Sequence, residues 1–318
     1  MLGLSPAVRW AMRVAVSLAI VGYLLVHVDL GSIAGTLARV RPGLLAGALV
    51  LYLCGQGLSA YKWSLLGRSV GFERPLADYV RFYFFGMFFN LFGPSTIGGD
   101  VARGLYLAGG RQRALAFNSV VFDRASGLAL LMALGAVGVL LFPQYDVPWP
   151  LATGMVGGGL AMLVGWWTCP RLVRLLPAGH RLRRTVEVDL APFWRDRRLL
   201  VRVAAVSIVF HLTQVWVQWV IARAAGTTVP FSYCLVFHPV VSFIAALPVS
   251  VAGLGVREGG YVYFLRRLHV APPTAVTIGL LWFAVSAMAA LVGGALLLVS
   301  GDAPILRSAA PEAQTQGP

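Results

Sequence analysis

Two long apolar stretches of this chain are interrupted at corresponding places by proline–serine–glycine sequences that run into an arginine. The first reads Pro94-Ser95-Thr96-Ile97-Gly98-Gly99-Asp100-Val101-Ala102-Arg103. The second reads Pro248-Val249-Ser250-Val251-Ala252-Gly253-Leu254-Gly255-Val256-Arg257-Glu258. The two prolines stand 154 positions apart in a chain of 318 residues. Breaking a helix in hydrocarbon frees N–H and C=O groups that no water can bond, so a break survives only inside protein or beside a wet cavity. Matched interruptions in two halves are the sequence mark of a binding site in repeat-built transporters.

Hydrophobic residues form 58% of the chain and charged residues 12%, against about 25% charged in a soluble domain. With a mean hydropathy of +0.77, the chain reads as an all-α polytopic membrane protein. Residues 1–300 are expected as one transmembrane domain, with pseudo-repeats at about 9–142 and 148–300 and a disordered tail at 301–318. The polar stretch Pro170 to Arg198 is expected as a loop. The net charge is +14, with Lys62 the single lysine, and loop arginines under the positive-inside rule account for it. No soluble basic module exists to bind nucleic acid. Cys54, Cys169 and Cys234 lack metal or disulfide spacing and read as packing residues. Arg9 and Arg13 precede an apolar run without a convincing cleavage site, so a retained first helix is expected.

Full spans are expected at about 11–28, 43–66, 115–142, 148–169, 199–225 and 275–300, each near the roughly 20 residues a bilayer requires. The interrupted segments, 79–100 and 231–256, are each either a crossing or a re-entrant hairpin. The loop from Arg171 to Arg202 holds nine arginines and is placed inside. Walking back from it, a hairpin at 79–100 keeps Lys62, Arg68, Arg74 and Arg81 inside and leaves Arg39 and Arg41 outside. For 231–256, a full crossing would bring Arg257, Arg266 and Arg267 inside. The hairpin instead yields a regular order of span, span, hairpin, span, twice over. Three crossings per half make the second copy inverted, and that arrangement is preferred.

Asn90, Pro94-Ser95, Gly98-Gly99-Asp100, Arg103, Ser119, Asp123-Arg124, Pro248, Ser250 and Gly253-Leu254-Gly255-Val256-Arg257-Glu258 together resemble one family over nearly the whole chain. It is the lysylphosphatidylglycerol synthase transmembrane-region family, described as flippase-like integral membrane proteins. The resemblance implies a bacterial or archaeal inner-membrane protein related to the lipid-translocating half of aminoacyl-phosphatidylglycerol synthases. Those proteins also carry a soluble aminoacyl-transferase domain. This sequence stops 18 residues after Ser300, so lipid synthesis by this chain alone is not expected.

The candidate substrate-binding residues cluster at the breaks. Asp123 and Arg124 read as intramembrane charges facing a cavity or a partner, with Asp100 and Arg103 as neighbours. Gly98, Gly99, Gly253 and Gly255 permit tight turns, after which a restarted helix would offer N–H groups to an anion. Arg103 and Arg257 would add charge-assisted hydrogen bonds. The plainer alternative is that the glycines only allow the bend and each arginine pairs with Asp100 or Glu258. Asn90 would line the cavity, while Ser95 and Ser250 would satisfy freed backbone groups. His211, Gln214 and Gln218 share a helix face and read first as interhelical hydrogen-bonding groups; His238 stays open.

No metal-ligand spacing, nucleotide motif or nucleophile elbow is present, so no cofactor, metal or enzymatic activity is expected. Carboxylates next to arginines also make poor general acids. The favoured reading is a protein that binds or translocates an anionic (phospho)lipid or lipid-linked substrate across the bacterial cytoplasmic membrane, with both termini cytoplasmic. A membrane-embedded lipid or polyprenyl transferase and a non-catalytic partner of a soluble synthase or transferase are the alternatives. Membrane lipids are the expected partners, and nucleic acid is not.

Overall fold

The structure, a computed structural model, describes residues 29–92, 97–110, 112–177, 179–246 and 255–300, with positions 15 and 253 besides. The expected first span, the tail and both proline–serine turns, with Ser95 and Ser250, lie outside those residues. Ten helices carry the fold among the described residues, with no strand. They are α1 (Leu30–Ala38), α2 (Pro42–Ser69), α3 (Leu76–Phe92), α4 (Ile97–Ala108), α5 (Arg113–Leu141), α6 (Trp149–Leu172), α7 (Arg197–Ala224), α8 (Phe231–Ala246), α9 (Val256–Leu265) and α10 (Pro272–Ser300). Local chemistry sets several starts. Pro42 occupies the first turn of α2, where a missing N–H costs nothing. Asp196 caps α7 by accepting from the Arg198 and Leu199 N–H groups at 2.9 and 3.1 Å.

Five of these helices, α2, α5, α6, α7 and α10, are long and apolar enough to cross a membrane. They match the expected spans to within a few residues. Their outer faces expose Val164, Val201 and Leu298, as lipid contact requires. The protein is therefore an all-α, multi-pass membrane protein.

Both interrupted segments fold back on themselves. In the first, Phe82 stacks on Tyr106 with ring centroids 5.5 Å apart, and Asn90 Oδ1 accepts from the Gly99 N–H at 2.8 Å. A Cβ on Gly99 would collide with the Gly86 carbonyl, so glycine is what lets α3 and α4 meet backbone to backbone. In the second, the Tyr233 hydroxyl donates to the Phe264 carbonyl at 2.6 Å, and Phe237 meets the Tyr261 ring edge-on at 5.7 Å. Residues successively closer to each break pair with one another, the pattern of an antiparallel hairpin. This resolves 231–256 as a hairpin, leaving Arg257, Arg266 and Arg267 away from the arginine-rich face.

The packing repeats between halves. α2 lies antiparallel along α7, from Arg41 N donating to Ala224 O at 3.1 Å, through Gly55 facing Gln214, to Leu66 in one apolar cluster with Leu199 and Val203. Exchanging α2, α3, α4 and α5 for α7, α8, α9 and α10 maps each helix contact onto a counterpart. Thus α3 packs on α10 as α8 packs on α5. Small residues permit both approaches: Gly293 faces the Phe84 carbonyl, and Gly138 would place a Cβ 2.8 Å from the Leu235 carbonyl oxygen.

Three expectations need correcting. The 170–198 stretch is not a plain loop: it carries short helical turns at Arg181–Arg184 and Ala191–Arg195. Phe193 is fully buried there against Phe122, with centroids 4.3 Å apart, so apolar residues dock it on the bundle. Cys54 is exposed, and only Cys234 is buried as a packing residue. The helix α1 was not foreseen. It packs Ile33 against Val276 of α10, as Phe193 packs against Phe122 of α5.

Gly293→Ala is expected to cost about 1–3 kcal/mol by overpacking, read as a lower melting temperature in detergent. Gly154→Ala, with open space around it, is expected to cost nothing. In a cysteine-free background, Glu73→Cys and Arg266→Cys are expected to label from opposite faces of sealed vesicles.

Candidate functional site

The buried centre of the first half is an alternating line of charges. Lys62 stands on α2, seven residues before its end, about 10 Å along the axis. Its Nζ lies 2.9 Å from Asp123 Oδ1 and donates to the Asp123 carbonyl oxygen at 3.0 Å. Asp123 Oδ2 accepts from Arg103 Nη1 at 3.2 Å, and Arg103 Nη2 donates to Asp100 Oδ1 at 2.8 Å. Asp100, in the first turn of α4, accepts from Arg124 Nε at 3.0 and 3.1 Å. Three helices therefore supply the sequence cation, anion, cation, anion, cation. Asp100 also complements the helix dipole at the start of α4.

Burial grades along this line. Lys62, Arg103 and Asp123 are each at most 4% exposed, whereas the Arg124 side chain keeps 53% of its surface accessible. Tyr83, beside Arg103, is likewise partly accessible, so the line runs from a buried end to an open one. The guanidinium of Arg103 lies between two aromatic faces, 5.1 Å from the Trp63 ring and 4.9 Å from the Tyr83 ring. Cation–π contact of this kind replaces part of the lost hydration. Trp63 is fixed in turn by its Nε1–H donating to Ser119 Oγ at 3.1 Å. Two carboxylates against three basic groups leave one unit of positive charge, at the accessible end.

The second break is built differently. Gly253 and Gly255 have φ of +76° and +81°, a left-handed backbone that favours glycine. A Cβ on Gly253 would also lie 3.2 Å from Arg257 Nη2, so the arginine folds back over the turn. Glu258 is buried and caps its own helix, accepting from the Gly255 N–H at 2.6 Å. Arg257 lies within electrostatic reach of Tyr52 on α2, and Tyr52 within reach of Tyr83 on the first hairpin. The offset that relates Pro94 to Pro248 also relates Arg103 to Arg257 and Asp123 to Thr277. The halves thus share a fold and an arginine, while the carboxylate belongs to one half.

Of the predicted residues, the structure brings Asn90, Gly99, Asp100, Arg103, Asp123 and Arg124 together, while Gly98 has room for a Cβ, which would lie 3.7 Å from the Phe89 carbonyl oxygen. Gly253, Gly255, Arg257 and Glu258 gather at the start of α9. Asn90 binds backbone rather than lining a cavity. His211 takes the Gly127 carbonyl at 2.8 Å and Gln218 accepts from the Tyr261 hydroxyl at 2.7 Å, the interhelical role expected of that stripe. His238 contacts Trp282 and Ser242. Among the described residues no group of His, Cys, Asp or Glu has the arrangement of a metal site. Lys62 was missed because charge counting assigned it to a loop. The signal was present: it is the single lysine of the chain, set in a long apolar helix.

Fold and site together define a multi-pass membrane protein with two inverted halves and an asymmetric, buried charge relay. Residues 10–294 match the family described as Lysylphosphatidylglycerol synthase TM region, and the chain belongs to that family. It is also similar to a UPF0104 membrane protein of Methanothermobacter thermautotrophicus, 21% identical over 296 residues, or 83% of this chain and 87% of the relative.

A double-mutant cycle checks the relay. Lys62→Met and Asp123→Ala are each expected to lower stability. Their coupling is expected within the roughly 0.5–3 kcal/mol of contacting pairs, measured by thermal or denaturant unfolding in detergent.

Proposed function

We propose that the chain binds an anionic lipid headgroup beside the first break and moves it across the bilayer. One observation carries this reading: the relay ends in an accessible arginine and holds one positive charge in excess. A phosphate at Arg124 would complete the charge balance. Asp123 and Asp100 would hold Arg103 and Arg124 oriented without neutralising both. The acyl chains would stay among the helices while the headgroup passes Tyr83 and Tyr52 toward Arg257. Two inverted halves supply the alternate openings such passage needs.

The arginine-rich face, with residues 171–202, the α2–α3 turn and the end of α10, is placed in the cytoplasm by the positive-inside rule. A bacterial inner membrane is the setting proposed. No enzymatic step is assigned, and a soluble synthase would be a supplier of substrate.

The test is lipid scrambling in proteoliposomes with headgroup-labelled phosphatidylglycerol. A hydrogen bond to a charged group contributes about 1.5–3 kcal/mol, so Arg124→Gln is expected to slow transport about 10- to 100-fold with normal folding. Transport equal to wild type in both Arg124→Gln and Arg257→Gln would reject the reading.

A further inference from the structure

Away from the paired breaks, a groove of about 520 Å³ opens sideways between α5, α6 and α7, within the roughly 300–1,000 Å³ of small-molecule sites. All three helices are long and apolar enough to cross a membrane, so this groove opens toward lipid. Its walls are hydrocarbon, from Ala129 and Leu130 on α5, Leu163 on α6 and Ala204 on α7. Two polar side chains also line it, Arg197, the first residue of α7, and Ser126 on α5.

The lining also has the chemistry of a membrane interface. Trp166 and Trp167 belong to it, and tryptophans favour the headgroup level. Trp166 is held rigid: its carbonyl accepts from the Trp194 Nε1–H at 2.9 Å, and its ring packs on Phe122 with centroids 4.5 Å apart. Arg197 is exposed and makes no ion pair to a described acid. The 171–202 segment around it carries nine arginines and three carboxylates, so the field there is positive. An apolar slot leading inward from an exposed guanidinium at headgroup depth fits one kind of occupant. A phosphate suits the guanidinium fork, and one acyl chain suits the slot. A zwitterionic lipid would bring its ammonium group into the arginine field.

We infer that the groove between α5, α6 and α7 binds one anionic phospholipid, with its phosphate on Arg197 and an acyl chain along the wall formed by Leu130, Leu163 and Ala204. The site stands whether or not the chain translocates lipid, because it rests on the outer face of the bundle and not on the breaks. It also has a physical link to the relay. Ser126 Oγ donates to the Asp123 carbonyl at 3.1 Å, so an occupant reaching Ser126 touches the turn of α5 that carries Asp123.

The test uses the purified full chain in neutral detergent, with native mass spectrometry and thermal unfolding. Phosphatidylglycerol is expected to remain bound at one copy per chain and to raise the melting temperature, with phosphatidylcholine and inorganic phosphate doing neither. Arg197→Gln is expected to weaken retention about 10-fold or more, the loss of one hydrogen-bonded charge pair. Ala204→Trp, which fills the slot, is expected to abolish it. If Ala204→Trp fails to fold, the exposed Arg197→Gln carries the test alone. Arg223→Gln, exposed at the other end of α7, is expected to leave retention unchanged, which separates this site from surface charge in general. Equal retention of phosphatidylglycerol and phosphatidylcholine, stabilisation by inorganic phosphate alone, or retention lost in Arg124→Gln but kept in Arg197→Gln would each overturn the assignment.

Discussion

The placement of Asp123 between Lys62 and Arg103 is the contact on which the architecture turns. Each of these charges alone would be prohibitively expensive at this depth, since several kcal/mol of hydration is lost per buried ion. Together they are tolerable, because each oxygen of the carboxylate meets a cation and the Arg103 guanidinium also lies between two aromatic rings. The consequence is geometric. Lys62 comes from α2, Arg103 from α4 and Asp123 from α5, so a satisfied relay requires the first hairpin to be docked between two spanning helices.

Docking of the hairpins depends on absent side chains as much as on present ones. Gly86 and Gly99 bring α3 and α4 into backbone contact, and Gly293 brings α10 against α3. In a bilayer there is little hydrophobic gain from pressing apolar helices together, so close approach and dispersion must supply the association. The second half repeats this geometry with Gly138 and Gly135 against α8. It repeats Arg103 as Arg257 but not Asp123, since Thr277 stands where the offset from Asp123 falls. An inverted repeat whose linked line of charges lies in one half gives a symmetric frame and a polarised interior.

Much of this was legible in the residues. The five described spans, both hairpins and the grouping of Asp100, Arg103, Asp123 and Arg124 follow from apolar length, matched breaks and the cost of intramembrane charge. Other features were not. Lys62 lies near enough to Arg68 to be mistaken for a loop residue, because residue counting cannot tell a snorkelling lysine from a buried one. Asn90 looked free to line a cavity, yet the fold brings the Gly99 N–H to it. The 170–198 stretch hid its docking residues, Phe193 and Trp194, in a charged background.

By itself, the sequence determined that the chain spans a membrane in two related halves with polar breaks, because hydrocarbon forbids unpaired backbone and uncompensated charge wherever they occur. Only the tertiary structure decided which charges neutralise one another and which stays open. The partners of Asp123 lie 61 and 20 positions away along the chain, and only helix packing sets their separation in space.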